Sequence, residues 1–91
     1  MTGRVTEVAF RELIEIQNYI AIGNPAAANL VRARIEKTIN RIFEFPFIGT
    51  EGKNYSARVF PVRPLPYLIF YTVGRREVII SNIRHAGRMR P

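Results

Sequence analysis

The sequence contains no cysteine and no aspartate, and it has a single histidine, His85. Without cysteine the chain cannot form disulfides, thiolate nucleophiles or cysteine metal ligands. Without aspartate it lacks the commonest partner of a catalytic histidine and the commonest magnesium ligand of phosphoryl transfer. It also has no Gly-rich phosphate loop, no paired histidines on a helix and no nucleophile elbow. We therefore expect no metal, no cofactor and no conventional hydrolase or kinase chemistry.

Long apolar runs are absent as well. No stretch approaches the ~20 residues that a membrane-spanning helix needs, and the N-terminus lacks the basic start, apolar run and cleavage site of a signal peptide. We therefore expect a cytoplasmic protein that does not insert into a membrane. With 91 residues, the chain has the size of one ordinary domain with a modest core. We assign residues 1–91 to a single domain.

The chain is basic, and its charge is unevenly distributed. The formal net charge is +7 and hydrophobic residues make up 47% of the chain, as in ordered globular proteins. Residues 1–45 contain six Lys or Arg and five Glu, whereas residues 46–91 contain eight Lys or Arg and two Glu. Seven of those eight are arginines, whose planar guanidinium suits bidentate contact with carboxylate or phosphate. We therefore expect the C-terminal half to meet an acidic partner.

Two amphipathic helices are predicted in the N-terminal half. In residues 8–22 apolar side chains recur at three- and four-residue steps, and Gly23 can end this helix in the left-handed conformation. Asn24 and Pro25 then suit the N-cap and first position of a second helix over residues 25–45. The short joint predicts an antiparallel helical hairpin. The predicted apolar stripes are Phe10, Leu13, Ile14 and Ile20, then Ala28, Val31, Ile35, Ile39 and Ile42.

Three short strands are predicted in the C-terminal half, from runs rich in Val, Ile, Phe and Tyr at residues 57–63, 67–73 and 77–83. Pro61 cannot donate a ladder hydrogen bond, so we expect the first strand to be bulged or to lie at a sheet edge there. The second run is apolar on both faces and is expected at the centre of the sheet. Residues 46–56 show no periodicity and predict a surface loop.

These elements predict an α+β fold, in which an N-terminal antiparallel helical hairpin packs on a small antiparallel β-sheet of three to four strands. The fourth strand would come from residues 1–6, where the Thr2-Gly3 pair weakens the strand signal. The two helices can cover one face of this sheet. The other face is then free for binding.

Cationic and aromatic side chains on the predicted strands and the C-terminal tail form the candidate site. If they converge on the free sheet face, they would make an anion-binding site with aromatic walls. In a metal-free cleavage of RNA, His85, Arg58 and Arg88 would act at the scissile phosphate. The candidate partner-binding residues are Arg58, Arg63, Tyr67, Arg84, His85, Arg88 and Arg90.

Several of these residues also have a purely structural interpretation. Tyr67 and Tyr71 lie in an apolar run, where half-buried packing is common. A lone His85 in a basic tail can be structural, because its Arg neighbours disfavour its protonated form. Glu12 and Glu15 are most simply residues on the solvated face of the first helix.

A series of short motifs follows in a fixed order along the chain: Asn18-Tyr19-Ile20, Asn24-Pro25-Ala26-Ala27-Ala28, Phe45-Pro46 with Gly49, Arg58, Tyr67 with Ile69-Phe70-Tyr71, and Ile83-Arg84-His85-Ala86-Gly87-Arg88. Together they resemble the RelE/ParE superfamily of bacterial toxins from type II toxin-antitoxin pairs, over nearly the whole chain. The resemblance implies a helical hairpin packed on a small antiparallel sheet. It also implies a cognate antitoxin, ParD-like or similar, encoded by an adjacent gene, whose C-terminal segment folds on binding.

Two branches of this superfamily differ in activity. The RelE-like branch consists of ribosome-dependent mRNA endonucleases that use Arg, Lys and Tyr, or Glu, Arg and His. This chain has only two lysines, has Leu68 where an Arg would be sought on the central strand, and has no Tyr after His85. The Asn-Pro-Ala-Ala sequence and the His-x-x-Arg ending look more like the ParE branch, which poisons DNA gyrase without being an enzyme.

The resemblance therefore implies a gyrase-inhibiting toxin that is neutralised by its antitoxin. Two alternatives stay open at this point. One is a ribosome-dependent mRNA interferase acting through the candidate residues above. The other is a non-toxic member of the family that only binds an antitoxin.

Overall fold

The computed structural model describes residues 2–52 and 57–88, which form two helices and five strands. The helices are α1 (Glu7–Gly23) and α2 (Pro25–Glu44), and each agrees with the predicted span to within one residue at either end. The strands are β1 (Thr2–Val5), β2 (Thr50–Glu51), β3 (Arg58–Val62), β4 (Tyr67–Val73) and β5 (Glu77–His85), and a 3₁₀ turn (Ala86–Arg88) follows β5.

A single residue, Asn24, joins the two helices. Its backbone N–H closes the last turn of α1 on the Ile20 carbonyl at 2.9 Å, and its side chain accepts a hydrogen bond from the Ala27 N–H at 3.0 Å. Such an N-cap stabilises a helix by about 1 kcal/mol. The prediction that Gly23 ends α1 in the left-handed conformation is wrong. Gly23 is the last helical residue of α1, and no described glycine has a positive φ. The extended backbone of Asn24 makes the reversal instead.

The sheet has the strand order β1-β5-β4-β3-β2. Neighbouring strands from β2 to β5 pair antiparallel, as predicted, whereas β1 pairs parallel with β5. The sheet is therefore mixed and not purely antiparallel. The direction of β1 could not be predicted, because β5 reaches its place beside β1 only after the chain has passed through both helices and strands β2 to β4.

The fifth strand, β2, arises inside the segment that was predicted to be a surface loop. It is two residues long and pairs only with Arg58 and Val59 of β3, so it is too short to show a sequence periodicity. Beyond it, Pro61 pairs with Leu68 of β4 and has no described strand on its outer side. The predicted edge position of Pro61 and the central position of β4 are both confirmed.

One hydrophobic core lies between the helices and the sheet. The apolar face of α2 contributes Ala28, Ile35, Ile39 and Ile42, all at most 5% exposed. In α1 the buried residues are Ala9 and Leu13, whereas Phe10 from the predicted stripe is half exposed. The sheet contributes Val62, Tyr67, Ile69, Tyr71, Val78, Ile80 and Ile83.

A β-bulge at Ser81 adjusts β5 to this core. Phe70 pairs with Asn82, but the next residue, Tyr71, pairs with Ile80, which leaves Ser81 as the extra residue. The Ser81 hydroxyl donates to the Phe70 carbonyl at 3.1 Å. Because the bulge changes the alternation of side chains, Ile80 and Ile83 both face the helices although they are three residues apart.

Candidate functional site

Residues that pair directly across two strands have their side chains on the same face of the sheet. The strand pairing found here places the candidate residues on both faces. Arg58 pairs with Tyr71 and His85 pairs with Tyr67, on the face that the helices cover. Arg84 pairs with Leu68 on the opposite face. The candidates therefore do not all converge on the free face, as the sequence suggested they could.

Tyr71 holds the segment after α2 against the sheet. Its buried hydroxyl donates to the Pro46 carbonyl at 2.7 Å and accepts from the Gly49 N–H at 2.8 Å. A Cβ atom at Gly49 would lie 2.5 Å from this hydroxyl, so the close approach requires glycine. Burial raises the pKa of Tyr71 above its ordinary value of 10.0, and the Gly49 N–H and the Arg58 charge offset only part of this effect. Tyr71 is thus a neutral structural anchor.

Arg58 braces the same segment. Its guanidinium donates to the Gly49 carbonyl at 2.8 Å and to the Glu51 carboxylate at 3.3 Å. The guanidinium carbon also lies 4.9 Å from the centroid of the Phe47 ring, within the range of a cation–π contact. Only 22% of the Arg58 side chain is exposed. These contacts aim the guanidinium at β2 and the loop before it.

Tyr67 and His85 form an aromatic pair at the other end of β4. Their ring centroids are 5.4 Å apart and the planes meet at 88°, an edge-to-face arrangement. The His85 Nδ1 atom accepts a hydrogen bond from the Gly87 N–H at 3.0 Å. In the neutral ring this bond places the proton on Nε2. The imidazole is therefore held by the tail turn and by Tyr67.

Arg58 and His85 lie far apart. Their partners on β4 are four residues apart and their own strands flank β4, which separates the two backbones by roughly 16 Å at ordinary strand dimensions. The Arg58 guanidinium is also turned toward β2. The arrangement does not bring the two side chains to one phosphate.

Glu12 covers the edge of β5 beyond the end of β1. Its Oε1 atom accepts from the Ile83 backbone N–H at 3.0 Å and from the Asn82 side chain at 3.2 Å. Its Oε2 atom pairs with Arg84 at 3.7 Å, and 23% of the Glu12 side chain is exposed. The prediction that Glu12 lies on the solvated face of α1 is therefore wrong. A carboxylate in this position blocks an exposed strand edge.

The free face of the sheet is apolar at its centre. Val59, Pro61, Leu68 and Ile79 are half-buried there, and neither helix packs on this side. Arg84 projects beside Leu68 with 54% of its side chain exposed. An apolar strip with a cation at its margin suits a protein partner that carries both apolar and acidic groups.

The remaining candidates lie at the margins of the described chain. Arg63 is exposed in the turn after β3. Arg88 is the last residue of the 3₁₀ turn, and Arg90 lies outside the described residues. In the ranges that the structure covers, no group of three His or carboxylate side chains could hold a metal ion. Neither α1 nor α2 has the length and apolar character that crossing a membrane requires.

Sequence reasoning missed two residues that shape this region, Glu12 and the anchoring role of Tyr71. Glu12 contacts residues 70 and 71 positions away, so no local pattern marks it. The Tyr71 hydroxyl binds a segment 22 to 25 positions before it. A glycine at position 49, just after the Phe45-Pro46 helix end, was the available signal for a close backbone approach.

Comparison with known proteins places this architecture. The chain matches the family described as "ParE toxin of type II toxin-antitoxin system, parDE" over residues 4–90. It is 36% identical over 88 residues to "Putative toxin Y4kP" of Sinorhizobium fredii, which covers 97% of this chain and 91% of that protein. A solved structure, "Chromosomal ParDE TA system from P. aeruginosa", superposes with a TM-score of 0.82 at 18% identity, covering 93% of this chain and 95% of that one.

The helical hairpin on a small sheet thus defines the class of ParE-fold proteins. The chain belongs to the ParE toxin family of type II toxin-antitoxin systems. Assignment to this family confirms the resemblance noted in the sequence.

Proposed function

We propose that this toxin inhibits DNA gyrase by binding to it, without catalysing a reaction itself, and that a cognate ParD-like antitoxin encoded by an adjacent gene neutralises it. The proposal extends the family assignment from a class of protein to a target and a partner. Its action in the cytoplasm follows from the same proposal, because both gyrase and the antitoxin are found there.

The proposal that the toxin is not an enzyme rests mainly on the hydrogen bonds and the position of Arg58. Its guanidinium is bound to the Gly49 carbonyl and the Glu51 carboxylate, and its strand lies two strands and four register positions from His85. A metal-free RNA cleavage needs a cation and an acid or base at the same phosphate. The resting arrangement supports binding better than cleavage.

The partner-binding residues retain a role in this proposal. Arg84 lies beside Leu68 at the margin of the free sheet face and Arg63 lies in the turn after β3, and carboxylates of a partner would reach them first because both are exposed. Arg58 could exchange its own carboxylate for one of the partner, since Glu51 is 80% exposed. Tyr67, His85, Arg88 and Arg90 belong to the adjoining end of the sheet and the tail.

A supercoiling assay tests the target. Purified toxin at micromolar concentration should stop gyrase from supercoiling relaxed plasmid DNA and should trap cleaved DNA, and prior mixing with the antitoxin should restore supercoiling. Unchanged supercoiling with no cleaved DNA would contradict gyrase inhibition.

A second measurement separates the proposal from the other two activities considered. After induction of the toxin in cells, primer extension should show no new 5′ ends within codons of cellular mRNA. New ends of this kind would identify an mRNA interferase instead. Normal growth on induction of the toxin alone would identify a non-toxic antitoxin binder.

A further inference from the structure

The outer face of α2 carries one continuous stripe of exposed side chains. Leu30, Arg34, Lys37 and Arg41 are all exposed and follow the spacing i, i+4, i+7, i+11, which places them on one line along the helix. At 1.5 Å per residue the line is about 16 Å long. It faces away from the buried stripe of the same helix, and we call these four residues the α2 stripe.

The three cations of the α2 stripe have no carboxylate partner in the described part of the chain. The ion pairs found there join other residues, including Arg32 with Glu36 on the neighbouring side of α2 at 3.4 Å. Like charges three or four residues apart on a helix destabilise it by a few tenths of a kcal/mol per pair. An acidic partner would relieve this repulsion.

Apolar side chains lie at both ends of these cations. Leu30 is 73% exposed at the start, and Phe45, just after α2, is 53% exposed. The Arg41 guanidinium lies over the Phe45 ring at 5.7 Å. An open groove of about 750 Å³ runs along the C-terminal half of the helix, and its lining includes Arg34, Lys37 and Arg41 together with one carboxylate, Glu44.

This combination distinguishes between two kinds of acidic partner. A nucleic-acid backbone would use the cations but has no apolar group for Leu30. An amphipathic helix with acidic residues at its centre and apolar residues toward its ends matches both the charges and the apolar ends. Charge and shape therefore favour an acidic helix of a protein.

We propose that the α2 stripe is a docking site for an acidic amphipathic helix of the cognate antitoxin. The inference rests on the proposed function, because it requires that an antitoxin binds this chain. It adds a second contact area on the opposite side of the protein from the free sheet face. One antitoxin segment that reaches both areas would wrap around the helical layer.

The test compares two double substitutions with the same change in charge. Arg34→Gln with Lys37→Gln alters the α2 stripe, and Arg75→Gln with Arg76→Gln alters exposed cations in the β4–β5 turn; each pair lowers the formal net charge from +7 to +5. Affinity for the purified antitoxin is measured by isothermal titration calorimetry. We expect the dissociation constant to rise about 10- to 100-fold for the stripe variant and less than about threefold for the turn variant.

A third variant, Leu30→Ser, tests the apolar end of the α2 stripe and should weaken antitoxin binding without changing affinity for a short DNA duplex. Circular dichroism verifies that all variants fold, which is expected because every altered side chain is exposed. Equal losses for both double variants would overturn the inference, since only net charge would then matter. So would unchanged antitoxin binding by the stripe variant, whether or not its DNA affinity falls.

Failure of the proposed function gives a different result. If the wild-type chain does not bind the antitoxin at all, the antitoxin partnership itself is refuted, and the docking site with it. If the wild type is toxic and is rescued by the antitoxin, the stripe variant should stay toxic but be rescued poorly. Full rescue of the stripe variant would overturn the docking site alone.

Discussion

Removal of one oxygen atom from Tyr71 should destabilise the whole protein. Tyr71→Phe keeps the buried ring but deletes the hydroxyl that binds the Pro46 carbonyl and the Gly49 N–H. Each neutral hydrogen bond contributes about 1 kcal/mol, and a buried donor that loses its partner costs about 1–3 kcal/mol. Gly49 is itself buried, so its N–H cannot turn to water. We expect a loss of about 2–3 kcal/mol of unfolding free energy.

Urea denaturation followed by circular dichroism measures this loss. A change of this size corresponds to a fall in Tm of about 10–20 °C for a domain of this length. The matched control is Tyr67→Phe, because Tyr67 is also a buried tyrosine of β4 but packs through its ring against His85, whereas the Tyr71 hydroxyl forms two hydrogen bonds. We expect the control to change stability by less than about 0.5 kcal/mol.

Two results would refute this reasoning. A loss at Tyr71→Phe no larger than that at Tyr67→Phe would mean that the two hydrogen bonds contribute nothing net. A changed denaturant slope would mean that the substitution alters the compactness of the folded or unfolded state, so that the energy could not be assigned to the anchor.

The other predictions concern pH, the strand edge and one close contact. Because the folded pKa of Tyr71 lies above 10.0, the stability from its protonated form is complete below that pH and is lost as pH rises toward the folded pKa; Tyr71→Phe should lack this part of the alkaline decline in urea titrations. Glu12→Ala should lose about 1–2 kcal/mol of unfolding free energy, because the Ile83 N–H loses its acceptor. The variant should also self-associate through the freed strand edge, which size-exclusion chromatography at rising concentration would detect. Glu12→Gln should keep most of the stability, and equal stability of the two variants would contradict the contribution of this hydrogen bond. Gly3→Ala should cost about 1–3 kcal/mol in thermal unfolding, because the added methyl group would overlap the Phe43 ring; an unchanged Tm would show that the ring moves aside freely.

The positions of the charged residues in the fold differ from what their distribution along the sequence suggests. By count, most of the excess positive charge belongs to residues 46–91. Two of those cations, Arg58 and Arg84, are paired with the chain's own Glu51 and Glu12. The longest line of unpaired cations among the described residues instead lies on α2, in the half that is nearly neutral by count. A partner responds to exposed, unpaired charge and not to a regional sum.

Local features of the sequence determined the helices, their junction and the central strand. The apolar stripe of α2, the Asn24-Pro25 pair and the run at residues 67–73 depend on neighbours within a few positions, so periodicity and capping rules predict them. The ordered motifs also led to the RelE/ParE superfamily before any three-dimensional information was used.

Only the tertiary structure decided the features that join distant parts of the chain. These include the parallel direction of β1, the bulge at Ser81, the Tyr71 anchor and the carboxylate of Glu12 on the edge of β5. Each depends on packing between residues roughly 10 to 75 positions apart, where short sequence windows carry no signal. The same limit explains the candidate site: the sequence determined which cations the protein has, whereas the fold decided which of them remain free to bind a partner.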